Sequence, residues 1–258
     1  MVTVEDPTLA PSRLLRAGVV LSTAALVWTT LRHGSALNGL LFMGLGAPEE
    51  VARKADFVLA SLAGLSALSA LLGRHPWTTA IATCAAFLVA AGATASVGGQ
   101  AFAKLAPIAA ATKWLAPLAL PALAAGRPVV ARRILACACA LTFATHGLEA
   151  LGHHPAFVDL LLGSSRRWLD LAPRESTARA VLSGIGTMDL AIAAGLLLGR
   201  WRWLAAWAAL WGTLTALSRT VALGPEFLFE TLLRSLNGLA PLALWYLLRP
   251  VLSDGNRS

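Results

Sequence analysis

Charge is what this sequence has least of. Asp, Glu, Lys and Arg make up 13% of its 258 residues, about half the share of an ordinary soluble domain. The few charges sit mostly between long uncharged stretches, so its helices have no water-facing side and a soluble fold is excluded. Cysteine chemistry is equally thin. Cys84, Cys137 and Cys139 all fall inside apolar stretches, and Cys137-x-Cys139 lacks the spacing of a zinc or redox pair; all three read as small buried hydrophobes. No Gly-x-Ser-x-Gly elbow, His-Glu-x-x-His helix or phosphate-cradling loop occurs. No cleavable signal is expected either, because Met1–Ser12 is polar and acidic and no small-residue cleavage pattern precedes the further apolar blocks.

What is present is apolar: 57% of the residues, with a mean hydropathy of +0.68. These residues are gathered into eight blocks, Leu14–Leu31, Phe57–Gly73, Trp77–Val97, Leu105–Ala125, Ile134–Leu151, Ala180–Gly199, Trp203–Val221 and Phe227–Leu248. Each is about long enough to cross ~30 Å of hydrocarbon, where only helices or closed barrels satisfy the backbone. Ala/Leu richness without alternation favours helices. The expected fold is an all-α polytopic membrane protein of about eight transmembrane helices. The net charge of +8 is then no nucleic-acid signature, since the basic residues lie at span ends and in short loops. Those loops carry Arg13, Arg16, Arg74, Arg127, Arg132, Arg133, Arg200, Arg202, Arg249 and Arg257, which places both termini in the cytoplasm of a cell inner membrane.

Three motifs recur in the same order. His33-Gly34 returns as His146-Gly147, Leu71-Leu-Gly-Arg-His-Pro-Trp77 as Leu197-Leu-Gly-Arg-Trp-Arg-Trp203, and Leu115-Ala-Pro-Leu-Ala-Leu120 as Leu239–Leu244, at offsets of 113, 126 and 124 residues. We read two tandem four-helix repeats, 1–126 and 127–258, parallel in the membrane because four spans is an even number. Two short apolar stretches outside the spans, Leu37–Met43 and Phe157–Leu162, suit either interfacial helices or lids over a cavity.

The second repeat carries charges where the first has alanine. Glu149 aligns with Ala36, Asp189 with Ala63, Arg219 with Ala93, Glu230 with Ala106 and Arg234 with Ala110. Charges within spans are costly and mark sites or pairs. All five are expected in the outer half of the bilayer on four consecutive helices, with Glu230 and Arg234 an i,i+4 pair and the whole set nearly neutral. His146 joins them as a group able to exchange protons near neutral pH. Its spacing with Glu149 and His153 (i, i+3, i+7) also makes these three metal candidates, although a headgroup-facing helix end explains the same spacing. Lys104 can snorkel; Lys113, matched by Asn237, lies deeper.

Through Ala144-Thr-His-Gly-Leu-Glu-Ala-Leu151, Pro155-Ala-Phe-Val-Asp159 and the Leu-Gly-Arg junction, the second half resembles the DoxX-like membrane proteins. That resemblance implies a bacterial inner-membrane protein, in some members a membrane subunit of a quinone-linked redox enzyme; the usual form is a single four-helix unit. The expectation is a subunit binding a quinone or other small amphiphile in an outward-facing pocket lined by His146, Glu149, Asp189, Arg219, Glu230 and Arg234. A small-solute or proton-coupled transporter, and a structural subunit of a larger membrane complex, are the alternatives. The bilayer and other membrane subunits are the expected partners.

Overall fold

The computed structural model describes residues 8–198 and 201–249; Arg200 and Arg257, expected in cytoplasmic loops, lie outside them. Helices and turns account for every element among the described residues. We label the long ones α1 (Leu9–His33), α2 (Glu49–Leu72), α3 (Pro76–Val97), α4 (the bent pair Ala103–Ala109 and Ala111–Ala124), α5 (Pro128–Leu151), α6 (Pro155–Leu169), α7 (Glu175–Leu198), α8 (Arg202–Leu223) and α9 (Leu228–Leu233 with Ser235–Leu247). α1, α2, α3, α5 and α7 are each long and apolar enough to cross a membrane, and α4 makes six if its bent halves count as one span. The protein is therefore a multi-pass helical membrane protein. α8 misses that standard of apolarity because Thr213, Thr215, Ser218, Arg219 and Thr220 crowd its second half, and α9 misses it because a break shortens it.

The helices outrun the apolar blocks that announce them. α2 begins at Glu49, two turns before Phe57, and α7 begins at Glu175 rather than Ala180. Both extra turns open on glutamate, which suits the positive end of the helix dipole. Each is braced by an i,i+4 ion pair, Lys54–Glu50 at 2.7 Å and Arg179–Glu175 at 2.6 Å. α1 and α2 run antiparallel, as do α8 and α9. Gly73 at the end of α2 lies against Arg16 at the start of α1, and Arg202 at the start of α8 lies 5.0 Å from the Trp245 ring near the end of α9.

Burial follows a repeating register. The buried positions Leu15, Gly18, Val19, Ser22, Ala25 and Thr30 of α1 recur 120 residues on as Leu135, Ala138, Cys139, Thr142, Thr145 and Ala150 of α5. Those of α2 (Ala52, Asp56, Ala60, Ala63, Ser66, Ala70) recur 126 residues on in α7 as Ala178, Leu182, Gly186, Asp189, Ile192 and Leu196. α4 and α9 break at places 124 residues apart, Ala110 (φ −86°, ψ 10°) and Arg234 (φ −104°, ψ 8°). Each also carries a matching proline, Pro117 and Pro241, which removes one backbone donor and frees a carbonyl four residues earlier, on Lys113 and Asn237.

One core joins the two halves. Leu15 and Val19 of α1 share it with Ala116–Leu123 of α4, Leu135 and Phe143 of α5, Ile192 of α7 and Leu236 and Leu244 of α9. The opening helix of each half packs on the closing helix of the other, α1 on α9 and α5 on α4. Ser235 Oγ donates to the Gly18 carbonyl at 3.1 Å, and Thr112 Oγ1 donates to Asn237 Oδ1 at 2.7 Å between the two broken helices. Lipid gives helices no hydrophobic reason to associate, so small residues and such polar contacts hold them together.

Candidate functional site

The two connections read as interfacial helices or lids differ. Ala36–Gly39 and the wider turn Leu40–Gly44 leave Phe42, Met43 and Leu45 exposed, as a segment lying in a membrane surface would. The second, α6, is amphipathic and turns its apolar side inward, Val158 with Phe157, Leu161 and Leu162 packing on Ala150, Ala178 and Leu182. Trp168 Nε1 donates to the Val221 carbonyl at 2.8 Å, tying the far end of α6 to the last turn of α8. α6 thus covers the ends of α5, α7 and α8.

Beneath it, Arg219 links four of the five expected charges, lying within electrostatic range of Glu149, Glu230 and Arg234. Glu149, near the end of α5, is 8% exposed and accepts from His146 Nδ1 at 2.9 Å, one turn earlier. Arg219 of α8 lies within Coulombic reach of Glu149, Glu230 and Arg234, and its guanidinium stands 5.7 Å from the centre of the Phe157 ring. That ring also meets His146 edge-on at 6.1 Å, so one phenyl of α6 bridges the two sides of the cluster. On α9, Arg234 Nη1 donates to the Glu230 carboxylate and, at 2.8 Å, to the Glu230 carbonyl, on the last turn before the break.

The fifth charge, Asp189, takes a neutral partner. It is buried on α7 where α5 crosses, beside Gly147, and its Oδ1 accepts from Trp211 Nε1 of α8 at 2.9 Å. Asp189 faces Trp211, whereas Arg219, two turns further along α8, faces Phe157. Trp211→Phe leaves this carboxyl without its donor and is expected to cost about 1–3 kcal/mol. Asp189→Asn, whose amide oxygen still accepts, should cost less than half as much; thermal unfolding in detergent measures both.

The cluster gains one residue that the expected site left out. Lys113, on the helical turn after the α4 break, is in Coulombic reach of Arg219, Glu230 and Arg234, with its ammonium 5.8 Å from the Phe87 ring. Its depth in the sequence was legible, but its neighbours were not, because the bend in α4 decides where it points. Asp56 also escaped notice, since it directly precedes the apolar block of α2. It is buried, and its two oxygens accept from Ser35 (backbone at 3.2 Å, hydroxyl at 2.5 Å) and from Asn38 Nδ2 at 2.8 Å, clamping the α1–α2 connection. It borders an open cleft of about 420 Å³ lined also by Thr30, Asn38, Glu49 and Arg53.

The metal candidates do not converge. His153 has left-handed backbone (φ 51°) just past the end of α5, and its Nε2 meets Ser183 Oγ of α7 at 3.0 Å. His154 stacks between Phe102 and Phe157 at 5.5 and 5.1 Å, with Nδ1 accepting from the Ala156 amide to cap α6. Among the described residues no group of three or more His, Cys, Asp and Glu is placed to hold a metal. The sharp turn into Pro155 swings His153 off the face it would share with His146 in a continuing helix.

A multi-pass helical membrane protein with a covered charge cluster at one end of its bundle is the class that fold and site define. No protein-family model, curated protein or solved structure matches the chain.

Proposed function

We propose that this chain is an eight-span inner-membrane protein, duplicated from a four-helix unit, with both termini cytoplasmic. It holds the polar end of a quinone or other small amphiphile against Glu149, Arg219, Glu230 and Arg234, with His146 exchanging protons beside them, as a membrane subunit of a DoxX-like redox assembly. The matched burial registers and the paired breaks at Ala110 and Arg234 support the duplication. In those registers Glu149 falls opposite Thr29 rather than Ala36, while Asp189, Arg219 and Arg234 keep alanine counterparts. The observation that carries the binding reading is the half-buried cluster itself, placed under α6 within helices whose other faces are apolar. A cation deep in a span costs about 2.5–3.5 kcal/mol, a cost that structure alone gives no reason to retain.

Native mass spectrometry of the gently solubilised protein tests this. A small amphiphile should accompany the wild type and be depleted in Arg219→Gln and Arg234→Gln; identical adducts in all three would refute the reading. A transporter is the second reading, favoured by the paired broken helices, which in transporters line substrate sites. Uptake driven by a proton gradient, lost in Asp189→Asn, would select it over a redox subunit.

A further inference from the structure

Two cations in the cluster have rings beside them and no oxygen. Among the described residues, Arg219 and Lys113 make neither a hydrogen bond nor an ion pair, and their recorded contacts are with Phe157 and Phe87. The Glu230 oxygens that hydrogen-bond, Oε2 and the backbone carbonyl, both accept from Arg234, and neither Lys113 nor Arg219 is within ion-pair distance of this carboxylate. Glu149 Oε2 meets His146 Nδ1, and this carboxylate makes no ion pair with Arg219 or Lys113. Lys113, Arg219 and Arg234 lie within reach of Glu230, Glu149 lies within reach of Arg219, and Asp189 is beside none of these cations. The site therefore carries one positive charge in excess, more when His146 is protonated, where the sequence alone promised near neutrality.

We propose that the ligand of this site is an anion: a carboxylate or phosphate group that sits between Arg219 and Lys113 and completes their coordination. This rests on the binding reading above and replaces a neutral head with an acidic one. Guanidinium and ammonium donors that lack acceptors in a poorly hydrated setting are satisfied by oxyanions, which take two or more such bonds at once. A quinone carbonyl accepts but brings no charge, so it leaves the excess uncompensated. Phe157 and Phe87 stand 5.7 and 5.8 Å from the two cations and offer them ring faces, which accept no conventional hydrogen bond. Partial exposure of the neighbouring pair, 24% for Arg234 and 28% for Glu230, leaves a way in.

The test uses the full chain in phosphatidylcholine nanodiscs, with binding measured calorimetrically for oleate, oleyl alcohol, decylubiquinone, hexanoate and inorganic phosphate. Oleate should bind at least tenfold more tightly than oleyl alcohol or decylubiquinone, and Lys113→Gln and Arg219→Gln should each erase that preference. Binding of hexanoate or phosphate as well identifies a water-borne acid; binding of oleate alone identifies a lipidic one; both uphold the proposal. Oleyl alcohol or decylubiquinone binding as tightly as oleate, and weakened in Arg234→Gln, overturns it while the amphiphile site stands. No binding of any probe overturns both. Phe157→Leu, which keeps every charge, serves where a charge variant fails to fold, and should weaken oleate binding without changing the order of preference.

Discussion

Gly186→Leu should yield no monodisperse protein. Gly186 of α7 and Gly147 of α5 meet where these helices cross, and the neighbours they offer each other are backbone. A Cβ on Gly186 would sit 2.7 Å from the Gly147 carbonyl oxygen and 2.9 Å from the Leu151 nitrogen; a Cβ on Gly147 would sit 2.9 Å from the Gly186 oxygen. Backbone cannot swing aside as a side chain does, so even Gly186→Ala must push the helices apart, at about 1–3 kcal/mol, and leucine at more. The separation is felt twice, because Asp189 and Glu149 lie within a turn of the crossing and their partners are set by it. Gly184→Ala and Gly64→Ala, with open space at the same point, are the controls. Size-exclusion profiles and melting curves decide; a wild-type melting temperature for Gly186→Leu would mean that α5 and α7 do not cross as described.

Glu230→Gln is the second large effect. Removing one member of an enclosed ion pair strands the other, typically at 3–5 kcal/mol; with both side chains about a quarter exposed, a loss of about 2 kcal/mol is the scale to expect. Arg234 would keep the backbone carbonyl of residue 230 and a neutral amide oxygen as acceptors but lose its counter-charge among carriers of like charge. The double variant Glu230→Gln/Arg234→Gln should recover most of that loss, since it removes the stranded cation too. A double-mutant cycle in detergent measures the coupling. Equal losses for the single and double variants would show that the pair contributes nothing beyond its two separate side chains.

Length and apolarity made the membrane helices readable. Five of the eight blocks recur as helices long and apolar enough to cross a membrane, six with the bent α4, because in hydrocarbon a backbone has no alternative partner for its amides. Their extensions at Glu49 and Glu175 were hidden, since a helix continuing past the bilayer needs no apolar residue, only capping charge and ion pairs. The site was half legible. That Glu149, Arg219, Glu230 and Arg234 were dear to bury could be read from their type. Which ones meet depends on rotation about each helix axis, and an apolar stripe that runs all the way round supplies no phase. The Trp211 partner of Asp189 could not be read for that reason, and Lys113 was noted as deep but left off the list of lining residues because its position is set by a bend. His153 shows the limit of spacing: i+7 shares a face only while the helix lasts, and this one ends at Leu151.

The crossed pairing of opening and closing helices sets an order of events during synthesis. α1 leaves the ribosome first, yet the surface that covers Gly18 is Leu236 and Ser235, more than two hundred codons later. At about 5–20 residues per second, the first helix waits on the order of ten to forty seconds with that groove filled by lipid tails or a chaperone. Maturation of the whole bundle is therefore timed by arrival of the last segment, and stop codons ahead of Pro225 should leave a precursor exposed to membrane quality control rather than a shorter working protein.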